Sequence, residues 1–217
     1  MSARRRLLLC HAYCGVMSLS LSPGREIGSL LRRGGIDGAY SYSVLDAGFC
    51  NDVFKVQVET LESPLVVKFF SGMAKTRCPA ALRGVVDVAV GSAGLGPRIV
   101  LRTDDALVSE FVPGDTLVVE DVRRDECGFA IGEIAPRLAE LHALPAPACV
   151  PSAPASLWRG VDAMLEVIGA AETSHTSPAP PLKARILIAE AQRMRWAVDS
   201  VARADVLGHG DLKPSNA

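Results

Sequence analysis

The sequence has almost no net charge. Its 217 residues include 23 lysines and arginines and 24 aspartates and glutamates, which leaves a formal net charge of −1 at pH 7. A protein that binds nucleic acid or an anionic membrane over a broad surface carries an excess of basic side chains. The near-equal numbers of basic and acidic residues therefore argue against nucleic acid and an anionic membrane as partners. We expect any anion-binding site to be local.

Cysteines with metal-binding or disulfide spacing are also lacking. The chain has six cysteines without a Cys-x-x-Cys pair, and only four histidines. Zinc sites need such ligands in clusters, and disulfide frameworks belong mainly to small secreted domains. We therefore expect no zinc site, and we expect buried free thiols in a reducing compartment such as the cytoplasm. The cysteines are Cys10, Cys14, Cys50, Cys78, Cys127 and Cys149.

The N-terminal segment has no acidic residue before Glu26. A basic run of three arginines precedes the mostly apolar residues 7–21, an arrangement that targeting peptides share. His11 and several serines interrupt the stretch, which weakens a membrane-spanning or secretory interpretation. We expect residues 1–35 to be a leader, either poorly ordered or a targeting peptide, without stable insertion in a membrane.

Apolar patterning predicts a sheet in the first half of the chain. The hydrophobic fraction of 49% is enough to bury a core. Residues 53–58 alternate apolar and polar side chains as a half-buried strand does. A short helix is predicted over residues 26–33 and another over residues 82–90. The lobe that contains the strands and the second helix is expected to span residues 36–112. The predicted strands are residues 40–45, 53–58, 65–70, 98–101 and 106–111.

Beyond Pro113-Gly114 helical spacing replaces the strand pattern. Two proline-rich stretches separate the predicted helices and are surface loops by composition. The fold class is therefore predicted as α+β, with a helical lobe over residues 113–217. Trp158 and Trp196 are expected in the core of this lobe. The predicted helices are residues 129–144, 157–168 and 182–201.

The strongest signal for chemistry is the motif His209-Gly210-Asp211-Leu212-Lys213-Pro214-Ser215-Asn216. Its histidine, aspartate and asparagine have the spacing of a kinase catalytic loop. Phosphoryl transfer needs a carboxylate that accepts the proton of the attacking hydroxyl, which suits Asp211, and an oxygen ligand for magnesium, which suits Asn216. Lys213 can neutralise the transferring phosphate. A surface turn is the alternative, because aspartate, proline, serine and asparagine favour turns.

Lys68 is a further candidate for binding phosphate. It lies in the third predicted strand, residues 65–70, where a kinase places the cation that holds the phosphates of ATP. The alternative is a solvated lysine whose stem covers apolar surface. The order of the elements along the chain favours the kinase interpretation.

From Tyr40 to Asn216 the chain resembles the choline/ethanolamine kinase branch of the kinase-like phosphotransferases, which also includes aminoglycoside phosphotransferases. Residues 48–56 are similar to the Gly-x-x-Asn nucleotide loop of this branch, with Gly48 and Asn51 at the motif positions. The resemblance implies a two-lobed protein-kinase-like fold that binds ATP and Mg²⁺. It also implies that Gly48 and Asn51 contact ATP.

Residues 110–114 resemble the hinge between the two lobes of that family, where the backbone forms hydrogen bonds with adenine. Phe111 and Val112 would then supply peptide groups to ATP. The alternative is a strand that ends in a Pro-Gly turn, which the same residues allow.

Some positions depart from the family pattern. Choline and ethanolamine kinases carry arginine where this chain has Lys68 and asparagine where it has Gly210, so both positions lean toward aminoglycoside-type relatives. Leu157-Trp158 resembles ethanolamine kinases instead. The helix glutamate that pairs with the strand cation aligns with Arg83, which cannot form that pair. Asp87, one turn later, is the hypothesised substitute.

These residues favour an ATP-dependent kinase that phosphorylates ethanolamine or choline for phospholipid synthesis in the cytoplasm. Two alternatives stay open: an aminoglycoside or sugar-amine phosphotransferase, and a non-catalytic kinase-like binding module. The sequence stops at Ala217, before an Asp-Phe-Gly-like segment that would bind magnesium. We therefore expect a fragment whose helical lobe is incomplete and which is inactive alone.

Overall fold

The computed structural model of the protein describes residues 23–45, 51–123, 128–173, 184–201 and 206–210. Contacts divide the chain into two compact units, the first formed by residues 1–75 with 100–111 and the second by residues 76–99 with 112–217. The elements in chain order are α1 Pro23–Arg33, β1 Tyr40–Val44, β2 Asn51–Val58, β3 Leu65–Phe70, α2 Gly72–Arg77, α3 Val85–Ser92, β4 Ile99–Arg102, β5 Ala106–Glu110, α4 Val119–Arg123, α5 Phe129–Ala143, α6 Ala153–Thr173 and α7 Ala184–Val201.

The five strands form one sheet in the order β1-β2-β3-β5-β4. The pairings of β1 with β2, β2 with β3 and β3 with β5 are antiparallel. In the central strand Val67 lies opposite Phe54 on one side and Val108 on the other. All three side chains are buried, as expected for β-branched and aromatic residues on an inner face of a sheet.

One face of the sheet packs against α1. Ile27, Leu30 and Leu31 are 0%, 5% and 2% exposed, and their i, i+3, i+4 spacing places them on one side of the helix. They form a single cluster with apolar side chains of three strands. The strand residues of this core are Phe54, Val56, Val58, Leu65, Val67, Ala106 and Val108.

The helix α1 also contacts β1 closely. The hydroxyl of Tyr40 donates a 2.5 Å hydrogen bond to the carbonyl oxygen of Gly24, and a Cβ atom on Gly28 would lie 2.6 Å from that hydroxyl oxygen. Residues 23–33 are therefore part of the folded sheet unit, although they fall within the range 1–35 that the sequence analysis assigned to a leader. The apolar stripe of α1 explains this difference. Residues 1–22 lie outside the described residues.

In the second unit, α3 ends at a close contact between backbones. A Cβ atom on Gly91 would lie 2.4 Å from the carbonyl oxygen of Pro97, a distance that only glycine allows. Gly94 follows the helix with a φ of 72°, a conformation that favours glycine. One of these glycines lies in the last turn of the helix and the other just after it.

The α+β fold class predicted from the sequence is confirmed. Each of the five predicted strands and five predicted helices overlaps an observed element. The sequence analysis missed α2 and α4, which have six and five residues, because helices of this length are too short to show a 3.6-residue period. In the part of the chain that the structure describes, no helix is both long and apolar enough to span a bilayer.

Two free cysteines lie among the described residues. Cys78 is partly exposed and Cys149 is exposed. The expectation of buried thiols is therefore wrong for these two residues. Both lie in connections between helices rather than on an apolar face, so no core surrounds them.

Candidate active site

Lys68 lies on the face of the sheet that is opposite α1. Its neighbours along β3, Val67 and Phe69, face the α1 core, and side chains alternate between the two faces of a strand. Across the sheet Lys68 is opposite Val53 on β2 and Leu107 on β5. Leu107 is 3% exposed and Lys68 is partly buried. Lys68 thus lies between two apolar side chains and is partly buried, and a charge in such surroundings is less screened and attracts an anion more strongly than in water.

Asn51 begins β2 opposite the end of β3. Its Oδ1 atom accepts a 3.1 Å hydrogen bond from the backbone N–H of Ser71. The hydroxyl of Ser71 in turn accepts a 3.2 Å hydrogen bond from the N–H of Ala74, which satisfies a donor in the first turn of α2. Asn51 therefore has a structural contact that the sequence analysis did not foresee, and its role in ATP binding stays a prediction.

Residues 110–114, the expected hinge, leave β5 at Glu110. The N–H of Phe111 donates a 3.1 Å hydrogen bond to the carbonyl oxygen of Pro64, so this N–H extends the pairing of β3 with β5. The side chain of Val112 is 60% exposed, and within the described residues its peptide N–H has no hydrogen-bond partner. Of the two expected residues, Val112 therefore has the N–H donor that a ligand can use.

Arg83 lies two residues before the first residue of α3. Its Nε atom donates a 2.8 Å hydrogen bond to the carbonyl oxygen of Cys78. The predicted helix over residues 82–90 contained Arg83, whereas the observed helix begins at Val85, after Gly84 with its φ of 71°. The alignment of Arg83 with the family glutamate stays a prediction. The acidic residue in the first turn of α3 is Asp87, which is exposed. Lys68 and Asp87 belong to different compact units, and their pairing stays a prediction.

The start of the expected catalytic loop, residues 206–210, is described. Leu207 is 6% exposed and anchors this segment, whereas His209 is exposed. Gly210 has a φ of 77°, a conformation that glycine and asparagine adopt more readily than other residues. Glycine is thus compatible with a position where the family carries asparagine. The remaining site residues named from the sequence, Gly48, Asp211, Lys213 and Asn216, lie outside the described residues.

A polar cluster joins α6 to α7, and sequence reasoning missed it. The guanidinium of Arg195 lies 4.9 Å from the centre of the Trp158 ring and 2.6 Å from the carboxylate of Asp162. The indole N–H of Trp158 donates a 2.9 Å hydrogen bond to Asp199. These groups line an open groove of about 600 Å³. Because these side chains pair across the two helices, the cluster is a structural contact between α6 and α7. Among the described residues the Nε atom of Arg195 is a buried donor without a hydrogen-bond partner.

The two tryptophans differ from their expected place in the core. Trp158 is only partly buried, because its indole N–H and ring face form the polar contacts with α7, and Trp196 is 78% exposed. The sequence does contain a signal for the cluster. Trp158 and Asp162 on α6, like Arg195 and Asp199 on α7, are four residues apart and so share a helix face.

The fold is that of protein-kinase-like phosphotransferases, and comparison with known proteins gives the family. The model of the choline/ethanolamine kinase family matches residues 43–217. The chain therefore belongs to the choline/ethanolamine kinase family. No sequence among functionally curated proteins matches it.

Two solved structures have the same fold. An ethanolamine kinase of Plasmodium vivax aligns with a TM-score of 0.63 and 15% sequence identity, over 82% of this chain and 52% of its own. A choline kinase of Cryptosporidium parvum aligns with a TM-score of 0.50 and 13% identity, over 84% of this chain and 52% of its own. The chain thus spans about half the length of these two relatives.

Proposed function

We propose that this protein is an ATP-dependent kinase that transfers the γ-phosphoryl group to the hydroxyl of a small amino alcohol, ethanolamine or choline. The observation that carries the proposal is the match to the choline/ethanolamine kinase family over residues 43–217, in which Lys68 lies on the third strand. A lysine on the third strand is the residue with which kinase-like enzymes hold ATP phosphates. Phospholipid synthesis in the cytoplasm is the proposed setting.

The remaining roles follow from the motif spacing and form part of the proposal. Asp211 accepts the proton of the substrate hydroxyl as the oxygen attacks phosphorus, and Lys213 compensates charge on the transferring group. Asn51 and Gly48 contact the nucleotide. The lobes are taken as residues 36–112 and 113–217.

The described residues fit ATP in two respects. Lys68 offers a cation between two apolar side chains, and Val112 offers a peptide N–H without a partner in the described chain. The segment 110–114 thus supplies a donor for a nitrogen of adenine, with Phe111 contributing its carbonyl oxygen. Mg²⁺, for which Asn216 is the proposed ligand, neutralises phosphate charge when it is bound.

A non-catalytic nucleotide-binding module is the second candidate. The observation that favours it is the composition of α3, whose eight residues carry a single carboxylate, Asp87. Kinases use a helix glutamate to hold the strand lysine in its active position. If Asp87 does not replace that glutamate, Lys68 binds phosphate without being positioned for transfer.

Nucleotide binding tests the first half of the proposal. Isothermal titration calorimetry of the purified protein with Mg-ATP is expected to give a measurable dissociation constant. The variant Lys68→Met is expected to raise that constant by at least about tenfold, because a hydrogen bond to a charged group is worth about 1.5–3 kcal/mol. Lys75→Met is the matched control, because the ammonium of Lys75 pairs with Asp105 at 2.6 Å. An equal loss of Mg-ATP affinity in Lys68→Met and Lys75→Met would contradict a phosphate-binding role for Lys68.

Phosphoryl transfer tests the second half. The protein in its longest natural form is incubated with labelled ATP and, separately, ethanolamine, choline or an aminoglycoside. Asp211→Asn is expected to lower kcat by about 10²- to 10⁴-fold, the usual contribution of a general base. Transfer only to the aminoglycoside would favour the other phosphotransferase class, and ATP binding without transfer would favour the non-catalytic module. The expectation that residues 1–217 are inactive alone stays a prediction, which the same assay tests.

A further inference from the structure

Lys55 forms a contact that neither the catalytic loop nor the phosphate site requires. Its Nζ atom lies 3.9 Å from the centre of the Phe111 ring, within the range of a cation–π interaction. Lys55 is in the middle of β2, and Phe111 follows the last residue of β5. Both side chains are partly buried. The contact thus joins the inner part of β2 to the first residue beyond β5.

Lys55 is on the same face of the sheet as Lys68. In the pairing of β2 with β3, Lys55 lies opposite Val66 and Val53 lies opposite Lys68. Residues two apart on a strand share a face, and so do residues directly opposite each other. Lys55 and Lys68 are therefore diagonal neighbours on the sheet face that α1 leaves uncovered.

Only one of the two lysines has a side-chain partner among the described residues. Lys55 has its ammonium on the ring of Phe111, whereas within the described residues no carboxylate or ring contacts Lys68. The charge of Lys55 is therefore directed toward the segment 110–114, where the base of a nucleotide is expected to bind. The charge of Lys68 stays available for phosphate.

Phe111 is held at two points. Its N–H donates to the carbonyl oxygen of Pro64, and its ring carries the ammonium of Lys55. The next peptide along the chain is the N–H of Val112. Because the backbone bond and the ring contact hold the same residue from two directions, they fix the position of its Cα atom, from which the peptide of Val112 extends.

We propose that Lys55 is a positioning residue for the base of the nucleotide, which it serves by holding the Phe111 ring and thereby the adjacent peptide donor of Val112. The inference rests on the proposed function, because it assumes that the nucleotide base binds to residues 110–114. It adds a residue of β2 to the group that determines affinity for the base. Lys55 contributes nothing to binding of the phosphates.

The experiment compares a ligand that contains the base with one that does not. Dissociation constants for Mg-ATP and for inorganic tripolyphosphate are measured by calorimetry on the unchanged protein and on Lys55→Met, Lys55→Arg, Phe111→Leu and the double variant Lys55→Met/Phe111→Leu. Thermal melting checks that each variant is folded. Lys75→Met is the matched control for loss of one positive charge from the sheet unit.

Lys55→Met is expected to weaken ATP binding about two- to fivefold, the strength of a cation–π contact at a partly exposed site. Tripolyphosphate binding and the Lys75→Met control are expected to stay unchanged. Lys55→Arg is expected to restore ATP binding, because a guanidinium also stacks on an aromatic ring. The double variant is expected to be no weaker than Phe111→Leu, because the two residues act through one contact.

Three results would overturn the inference. An equal loss of ATP and tripolyphosphate affinity would make Lys55 a phosphate-binding residue. Unchanged ATP affinity in folded Lys55→Met, with Lys68→Met still impaired, would leave the proposed function intact and remove Lys55 from it. Failure of the unchanged protein to bind ATP would overturn both.

Discussion

The N–H of Phe111 is hydrogen-bonded to the carbonyl oxygen of Pro64 at 3.1 Å, so β3 and β5 stay paired one residue beyond the last residue of β5. This bond uses the first peptide donor of the segment 110–114. The N–H of Val112 is the next donor along the chain.

Replacement of Val112 by proline tests this donor. Proline has no N–H, so Val112→Pro is expected to weaken binding of Mg-ATP by about two- to tenfold, the usual worth of one hydrogen bond. Binding of tripolyphosphate is expected to be unaffected. Val112→Ala keeps the peptide donor and is the matched control in the same calorimetric titration. A loss of ATP affinity as large in Val112→Ala would assign the effect to the side chain instead.

At Gly210 the backbone conformation can be compared with the residue that the family carries, asparagine. Its φ of 77° is accessible to asparagine but costs a β-branched residue about 1–3 kcal/mol. Gly210→Asn is therefore expected to keep phosphoryl transfer within about threefold, whereas Gly210→Val is expected to lower kcat at least tenfold. Initial rates at saturating ATP measure both. Equal activity of the two variants would show that this backbone conformation is not needed for transfer.

The contribution of α1 to the fold is tested at Ile27, which is fully buried. Ile27→Ala leaves a cavity between the helix and the sheet, so the free energy of unfolding in urea is expected to fall by about 2–5 kcal/mol. Ser29 is exposed on the same helix, and Ser29→Ala is expected to change stability by less than about 0.5 kcal/mol. If Ile27→Ala changed the free energy of unfolding as little as Ser29→Ala, α1 would not unfold cooperatively with the sheet.

The contact between α6 and α7 is tested at Arg195. Arg195→Met removes the ion pair with Asp162 and the stacking on Trp158. Because both charged side chains are 40–50% exposed, the expected loss in unfolding free energy is only about 1 kcal/mol.

Arg193 provides the control on the same helix. It pairs with Glu190 three residues earlier, and the guanidinium lowers the pKa of that carboxyl group through their hydrogen bond. This pair lies within one helix, so Arg193→Met is expected to destabilise the protein less than Arg195→Met. If Arg193→Met lowered the free energy of unfolding in urea more than Arg195→Met did, the contact between α6 and α7 would not contribute to stability as proposed.

Local patterns were sufficient to locate most strands and helices. The predicted strand over residues 65–70 has the observed bounds of β3, because a run of β-branched and aromatic residues has few conformations that bury it. The helix α2 was missed because its six residues are too few to show a helical period, and because the Ser71 that caps it is itself held by a bond to Asn51. That bond joins residues distant in sequence, and no local pattern contains it.

The candidate site divides in the same way. The identity of Lys68 as the strand cation could be read from its apolar neighbours and its place in the order of elements. The alignment of Arg83 with a helix position could not be checked in sequence, because the start of α3 depends on the backbone conformation of Gly84. The exposure of Trp196 could not be predicted from the sequence either, because hydrophobicity alone does not tell whether another element covers a helix face.

The amino-acid sequence by itself determined the family, the order of strands and helices, and the residue types available for phosphate and metal binding, because these depend on local spacing. Tertiary structure decided which groups near the candidate site already make contacts within the protein. The Oδ1 atom of Asn51 accepts from Ser71, the N–H of Phe111 donates to Pro64, and the ammonium of Lys55 lies on the Phe111 ring. It also decided that α1 covers one face of the sheet and leaves Lys68 on the other. Such contacts arise only when distant segments pack together, and the free energy that selects them comes from burying apolar surface across the whole sheet.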